Sequence, residues 1–214
     1  MAIQSGKVML YPADRLFDPI FKILLFVDAI SIATQSVTLG RVTMKRGDWA
    51  GCKAKQFDVE VLLPVLRPTL SAIRGAAATG IEIGFFSPTD RLNWTSIDGN
   101  SRFIADIIKP IYVTFFEAHR PWLEARFGAD PYGWPALTNF ARVVRDALAH
   151  NHGRIHFMHP ADKPVRWQHL SYSPSDEGLL VFGDETADFD IADIVILLFE
   201  MAFEFDNLGC PVHP

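Results

Sequence analysis

SRFIADIIKPIYVTFFEAHRPWLEARFGADPYGWPALTNFARVVRDALAHNHG, residues 101–153, holds two amphipathic runs separated by a sharp break. In the first run Phe103, Ile104, Ile107, Ile108, Ile111, Phe115, Phe116 and Leu123 recur at three- and four-residue spacing. That period puts them on one side of a helix. It predicts a helix from Ser101 to Phe127 with a kink at Pro110, whose ring removes an amide donor. Gly128-Ala129-Asp130-Pro131-Tyr132-Gly133 ends it. A second helix starts around Trp134-Pro135 and runs to His150-Asn151, with Asn151 and Gly153 as the terminators. Two long helices joined by a short turn are the unit of a helical bundle.

The flanks extend the pattern. Phe17, Phe21, Leu24, Leu25 and Ala29 predict a helix from about Pro12 to Ser36. Residues 41–52 read as a loop, and residues 53–78 as a helix that Pro64 and Pro68 bend or split. Gly80–Phe86 reads as a short strand or extended linker, closed by the turn Ser87-Pro88-Thr89-Asp90. After His150 the texture becomes short, aromatic and β-branched. Arg154–Phe157, Val165–Trp167, Leu170–Tyr172 and Gly178–Phe182 predict two or three short antiparallel strands, a β insert spanning about 154–183. Phe189, Ala192, Val195, Ile196, Phe199 and Phe203 predict a final helix over about 191–205, capped by Asp188 or Asp190. The expected fold is mainly α. It is one domain over residues 1–214, a bundle of four or five long helices with a small antiparallel β insert before the last helix.

Composition sets bounds. Apolar residues make up 49% and charged residues 21% of 214, enough to build a substantial core and too apolar for a disordered chain. Seventeen Phe and five Trp fit either a large aromatic core or a subunit interface. A net charge of −5 argues against a broad basic surface for duplex nucleic acid, while leaving room for a local basic groove. Cys52 and Cys210 form neither a disulfide framework nor a metal knuckle, and read as reduced thiols in a cytoplasmic protein. The opening residues lack a signal-peptide pattern. The most lipophilic stretch, Phe17–Ala33, is broken by Pro19, Lys22 and Asp28 and falls short of a membrane span.

Chemistry concentrates where the second helix ends. Arg142, Asp146 and His150 follow at four-residue intervals on a polar stripe, opposite the apolar Phe140, Val144, Ala147 and Leu148. Arg145 precedes His150 by five residues, so the two diverge around the axis but can converge on a ligand at the helix end. The run Arg145-Asp146-Ala147-Leu148-Ala149-His150, followed by Asn151-His152-Gly153 and Arg154-Ile155, resembles the RxxxxH signature of the HEPN superfamily of small helical-bundle domains. The resemblance covers about Trp134 to Ile155. It implies a homodimer with a composite, metal-independent ribonuclease site, cofactor-free, of the kind found in toxin–antitoxin, defence or RNA-processing systems. Other members of that superfamily are noncatalytic and bind partners. By the resemblance His150 is general base or acid for a ribose 2′-hydroxyl, and Arg145 binds the scissile phosphate. Arg142, Asp146, Asn151 and His152 support them. Asp146 departs from the pattern, which commonly has a neutral Asn there. A carboxylate at that point either repels phosphate or tethers and charges His150. The same polar stripe also reads as an ordinary surface or interface network, with His150 simply complementing the helix dipole. RNA, a protein partner or an antitoxin are the partners to consider, and a membrane is not.

Weaker patterns remain. His150, His152, His156 and His159 are dense enough to bind zinc or nickel, but none of the spacings matches HExxH and there is no CxxC, so no metal is expected. Trp167, Tyr172 and Phe182 are either a platform for bases or the packing of a small sheet. His119-Arg120-Pro121-Trp122 is a basic, aromatic patch near a helix end, and Asp184–Asp193 an acidic run that helix capping largely explains. There is no P-loop, strand-borne GxGxxG or GxSxG.

Overall fold

The computed structural model describes residues 6–39, 48–65, 79–90, 94–96, 101–158, 162–183 and 185–212. Four long helices dominate: α1 (Phe17–Leu39), α2 (Ser101–Phe127), α3 (Ala136–His150) and α4 (Ile191–Asn207). The α2 bounds match the sequence reading, and α2 continues through both Pro110 and Pro121. A small antiparallel pair, β6 (Val165–Trp167) and β7 (Leu170–Tyr172), lies just before α4.

A five-stranded sheet was not foreseen. Its strands are β1 (Gly6–Leu10), β2 (Trp49–Lys53), β3 (Glu60–Pro64), β4 (Ile81–Phe86) and β5 (Thr95–Ser96), in the order β1-β4-β3-β2-β5. Two expectations are corrected by it. The helix placed over 53–78 is instead a β2–β3 hairpin through Pro64, with Gly51 opposite Leu62 and Trp49 opposite Pro64; residues 66–78 lie outside the described residues. The loop over 41–52 is strand from Trp49 onward, while 41–47 lie outside the described residues. The misreading has a physical cause. Val61, Leu62, Leu63 and Val65 are each at most 1% exposed, so β3 is buried on both faces. A strand covered on both sides is a continuous apolar run, which periodicity cannot separate from a buried helix.

Helix α4 joins the two layers. Twelve of its 17 residues are buried. On one side Phe199 meets Phe85 of β4 edge-on, ring centroids 5.1 Å apart. On the other, Phe205 packs near Phe115 of α2, and Met201 lies under the Tyr112 hydroxyl. The aromatic residues largely fill the core. Phe140 of α3 stacks on Tyr172 at 5.4 Å and neighbours Trp167 and Phe189. Trp167, Tyr172 and Phe182 are 3%, 2% and 2% exposed, so they cannot serve as a base-stacking platform and pack the insert against α3 and α4 instead. No described helix is long and apolar enough to cross a membrane.

The end of α3 candidate functional site

Helix α3 terminates through a double left-handed turn. His152 and Gly153 have φ of 54° and 83°. The Gly153 amide reaches back to the Ala147 carbonyl at 2.9 Å, and the Asn151 amide to the same oxygen at 3.2 Å. The Ala147 carbonyl, in the last turn of the helix, thereby accepts two amides. The chain then leaves as an extended segment paired with residues 178–181: the Val181 amide donates to the Gly153 carbonyl at 2.7 Å, and the Ile155 amide to the Leu179 carbonyl at 2.8 Å. The β insert therefore anchors the helix end that carries the polar residues.

Arg145 and His150 do converge. Arg145 Nη1 lies 3.2 Å from His150 Nε2. Arginine only donates, so Nε2 accepts and the imidazole proton belongs on Nδ1. His150 is exposed, whereas the Arg145 side chain is 14% exposed. Asp146 does not tether His150. Its Oδ1 accepts from Arg145 Nη1 at 2.7 Å and its Oδ2 from Arg142 Nη1 at 3.2 Å. The second of those is the four-residue pair expected from the polar stripe. Arg142 Nε also donates to Asn139 Oδ1 at 3.2 Å. Asn151 Nδ2 reaches the Asp146 carbonyl at 3.4 Å, so it supports the helix end rather than the pair. His152 is exposed and makes the turn.

Helix α2 contributes a residue the sequence reading missed. Glu117 Oε1 sits 2.5 Å from Arg145 Nη2. Its Oε2 is 3.9 Å from Arg120 Nη1, and Arg120 is itself hydrogen-bonded to Glu124 at 2.7 Å. Arginines and carboxylates thus alternate in the order Arg120, Glu117, Arg145, Asp146 and Arg142, with His150 joined to the central Arg145. The field of Asp146 reaches further. Burial first, and then the Asp146 charge, push the Tyr112 phenol well above its ordinary pKa, while its hydroxyl donates to the Ala141 carbonyl at 3.1 Å. Nothing local in the sequence marks Glu117; only the packing of α2 on α3 brings it to Arg145.

The described histidines of the cluster do not gather into a metal site. His156 Nδ1 pairs with Glu177 Oε1 at 2.7 Å, and that hydrogen bond, with a second from the Phe157 amide, holds Glu177 below the usual carboxylate range. His159 lies outside the described residues. Among the described residues no group of three or more His, Cys, Asp or Glu side chains is placed to hold a metal ion. His119 is buried at 3% exposure, so it takes no part in a surface patch, whereas Arg120 and Pro121 are exposed. In the acidic run, Asp190 and Asp193 form a capping box on α4. Asp188 accepts from the Tyr172 hydroxyl at 2.8 Å. Cys52 and Cys210 are buried, and neither forms a disulfide among the described residues. A cavity of about 440 Å³ between α1 and α2, lined by Arg15, Lys22, Pro110 and Phe115 among others, does not include Arg145 or His150.

No family model, curated protein or solved structure matches the chain.

Proposed function

We propose that this chain is a HEPN-like domain in which Arg145 and His150 form a phosphodiester site. It acts as a metal-independent ribonuclease, or as an RNA-associated domain, in a cytoplasmic defence or toxin–antitoxin type system, and works as a homodimer. One observation carries this reading: the 3.2 Å approach of Arg145 Nη1 to an exposed His150 Nε2 at an open helix end. A forked cation and a titratable base then share one locus. In the reaction the Nε2 lone pair of His150, released by Arg145 Nη1, takes the proton of a ribose 2′-hydroxyl, whose oxygen attacks the adjacent phosphorus. The bond from phosphorus to the 5′-oxygen breaks, a protonated histidine supplies that oxygen with its proton, and a 2′,3′-cyclic phosphate remains. Arg145 stabilises the charge gathering on the phosphoryl oxygens.

A noncatalytic protein-interaction or structural domain is the second reading. It is favoured by a specific observation, the pairing of Arg145 with both Glu117 and Asp146. Cleavage of mixed single-stranded RNA with a chelator present separates the two. The ribonuclease reading expects cleavage by the parent and a loss of about 100-fold or more in His150→Ala, the usual scale of a lost acid–base group. Equal cleavage by both proteins removes His150 from the mechanism, and no cleavage by either leaves the noncatalytic reading.

A further inference from the structure

Among the described residues Arg15 and Arg145 have largely buried side chains, and they are satisfied very differently. Arg15, whose side chain is 1% exposed, has an acceptor on every nitrogen: Asp206 Oδ1 for Nε, His119 Nε2 and the Pro211 carbonyl for Nη1, and Asp206 Oδ1 with the Cys210 carbonyl for Nη2. That is the pattern of a structural guanidinium, because leaving buried donors unpaired is costly. Arg145 lacks it. Its Nη1 is used by Asp146 and His150, but its buried Nε has no hydrogen-bond acceptor among the described residues. Its Nη2 meets Glu117 Oε1 at 2.5 Å without hydrogen-bond alignment, so that buried oxygen also has no hydrogen-bond partner. The unsatisfied edge, Nε with Nη2, is the one that presents two parallel N–H groups to a forked oxyanion. Glu117 covers it with a single, poorly aligned oxygen.

The geometry points to Glu117 as an intramolecular competitor for the anion site, an autoinhibitory carboxylate that a phosphodiester must displace from Arg145. This rests on Arg145 being the phosphate-binding group of the preceding reading. Glu117 has somewhere to go. Its Oε2 is already 3.9 Å from Arg120 Nη1 on the same helix, and its side chain is 37% exposed. Moving toward Arg120 keeps the carboxylate paired, while the vacated edge of Arg145 gains two aligned hydrogen bonds from the phosphoryl oxygens. Asp146 stays in place and continues to fix Arg145 through Nη1. The apo site is then electrically quiet, and its basic character is uncovered only by a ligand able to outcompete a nearby carboxylate.

The test uses a short single-stranded RNA with 2′-O-methyl groups throughout, which blocks the attacking hydroxyl, and fluorescence anisotropy at low salt. Parent, Glu117→Gln, Arg145→Ala, the double variant and Glu124→Gln are compared, each checked for folding by circular dichroism. The expected result is binding at least about fivefold tighter in Glu117→Gln, from removing one unit charge beside the anion. That gain should vanish in the Arg145→Ala background and be absent in Glu124→Gln. If Glu117→Gln equals the parent while Arg145→Ala weakens binding, the competitor role is overturned and the phosphate site stands. A gain that persists without Arg145 also overturns it, as an effect of bulk charge. Failure of every variant to bind overturns the competitor and the phosphate reading together.

Discussion

At Gly153 the left-handed φ of 83° is only half of the constraint. A β-carbon there would stand 2.2 Å from the Phe182 carbonyl oxygen, a backbone atom that cannot swing aside. Gly153→Ala is expected to cost roughly 2–3 kcal/mol through backbone strain and overpacking. The check is a lowered urea midpoint with an unchanged m-value. Because Gly153 joins α3 to the insert, the same substitution should weaken any activity that depends on His150. At this scale much was legible. The Arg142–Asp146 pair follows from helical spacing, and Gly153 from its place after a periodic run; five-residue spacing alone sends Arg145 and His150 apart around the axis, and side-chain reach brings them together. Glu117 was not legible, because its approach to Arg145 comes from an interhelical contact that no local pattern encodes.

Asp193 works between elements. It is fully buried at the start of α4, where Oδ2 accepts from the Asp190 and Lys55 amides and Oδ1 from the Gln56 amide. One carboxylate thus caps a helix and ties it to the turn after β2. Asp193→Asn keeps one acceptor but turns an amide group toward a backbone donor, and should cost about 2 kcal/mol or more. The pH dependence has a definite sign. Burial raises the Asp193 pKa above its ordinary 3.8, against the pull of its three amide hydrogen bonds. The folded chain therefore holds this proton more tightly than the unfolded one. Asp193's contribution is full below 3.8 and falls as pH rises through the raised value. Urea titrations of parent and Asp193→Asn across that acid range should show the stability difference shrinking with rising pH. A flat difference would remove this account. Element by element, α2, α3, α4 and β4 were readable because each has one apolar face or clear terminators. The β2–β3 hairpin was not, since burial of both faces erases the alternation that identifies a strand.

Across the whole molecule, Arg15 closes the fold. Lying just before α1, it reaches His119 on α2 at 2.6 Å, Asp206 near the end of α4, and the Cys210 and Pro211 carbonyls beyond it. The buried His119 ring stacks on Phe205 at 4.6 Å, and its Nδ1 is 2.7 Å from the Phe115 carbonyl. Arg15→Ala removes the donor shared by the His119 ring, the Asp206 carboxylate and the Cys210 and Pro211 carbonyls, and is expected to cost about 2 kcal/mol. Amide exchange should rise first over residues 206–212, the segment the guanidinium holds. Uniform protection there in the variant would show that the clasp is redundant. The amino-acid order by itself determined α2, α3 and α4, where α3 stops, and the Arg142–Asp146 pair on its polar stripe, because these depend on spacing within one element. Tertiary structure alone decided that residues from the first ninety or so assemble a sheet, that Arg15 clasps the C-terminal segment, and that Glu117 lies against Arg145. Those depend on contacts between distant parts of the chain, and period and propensity carry no information about such partners.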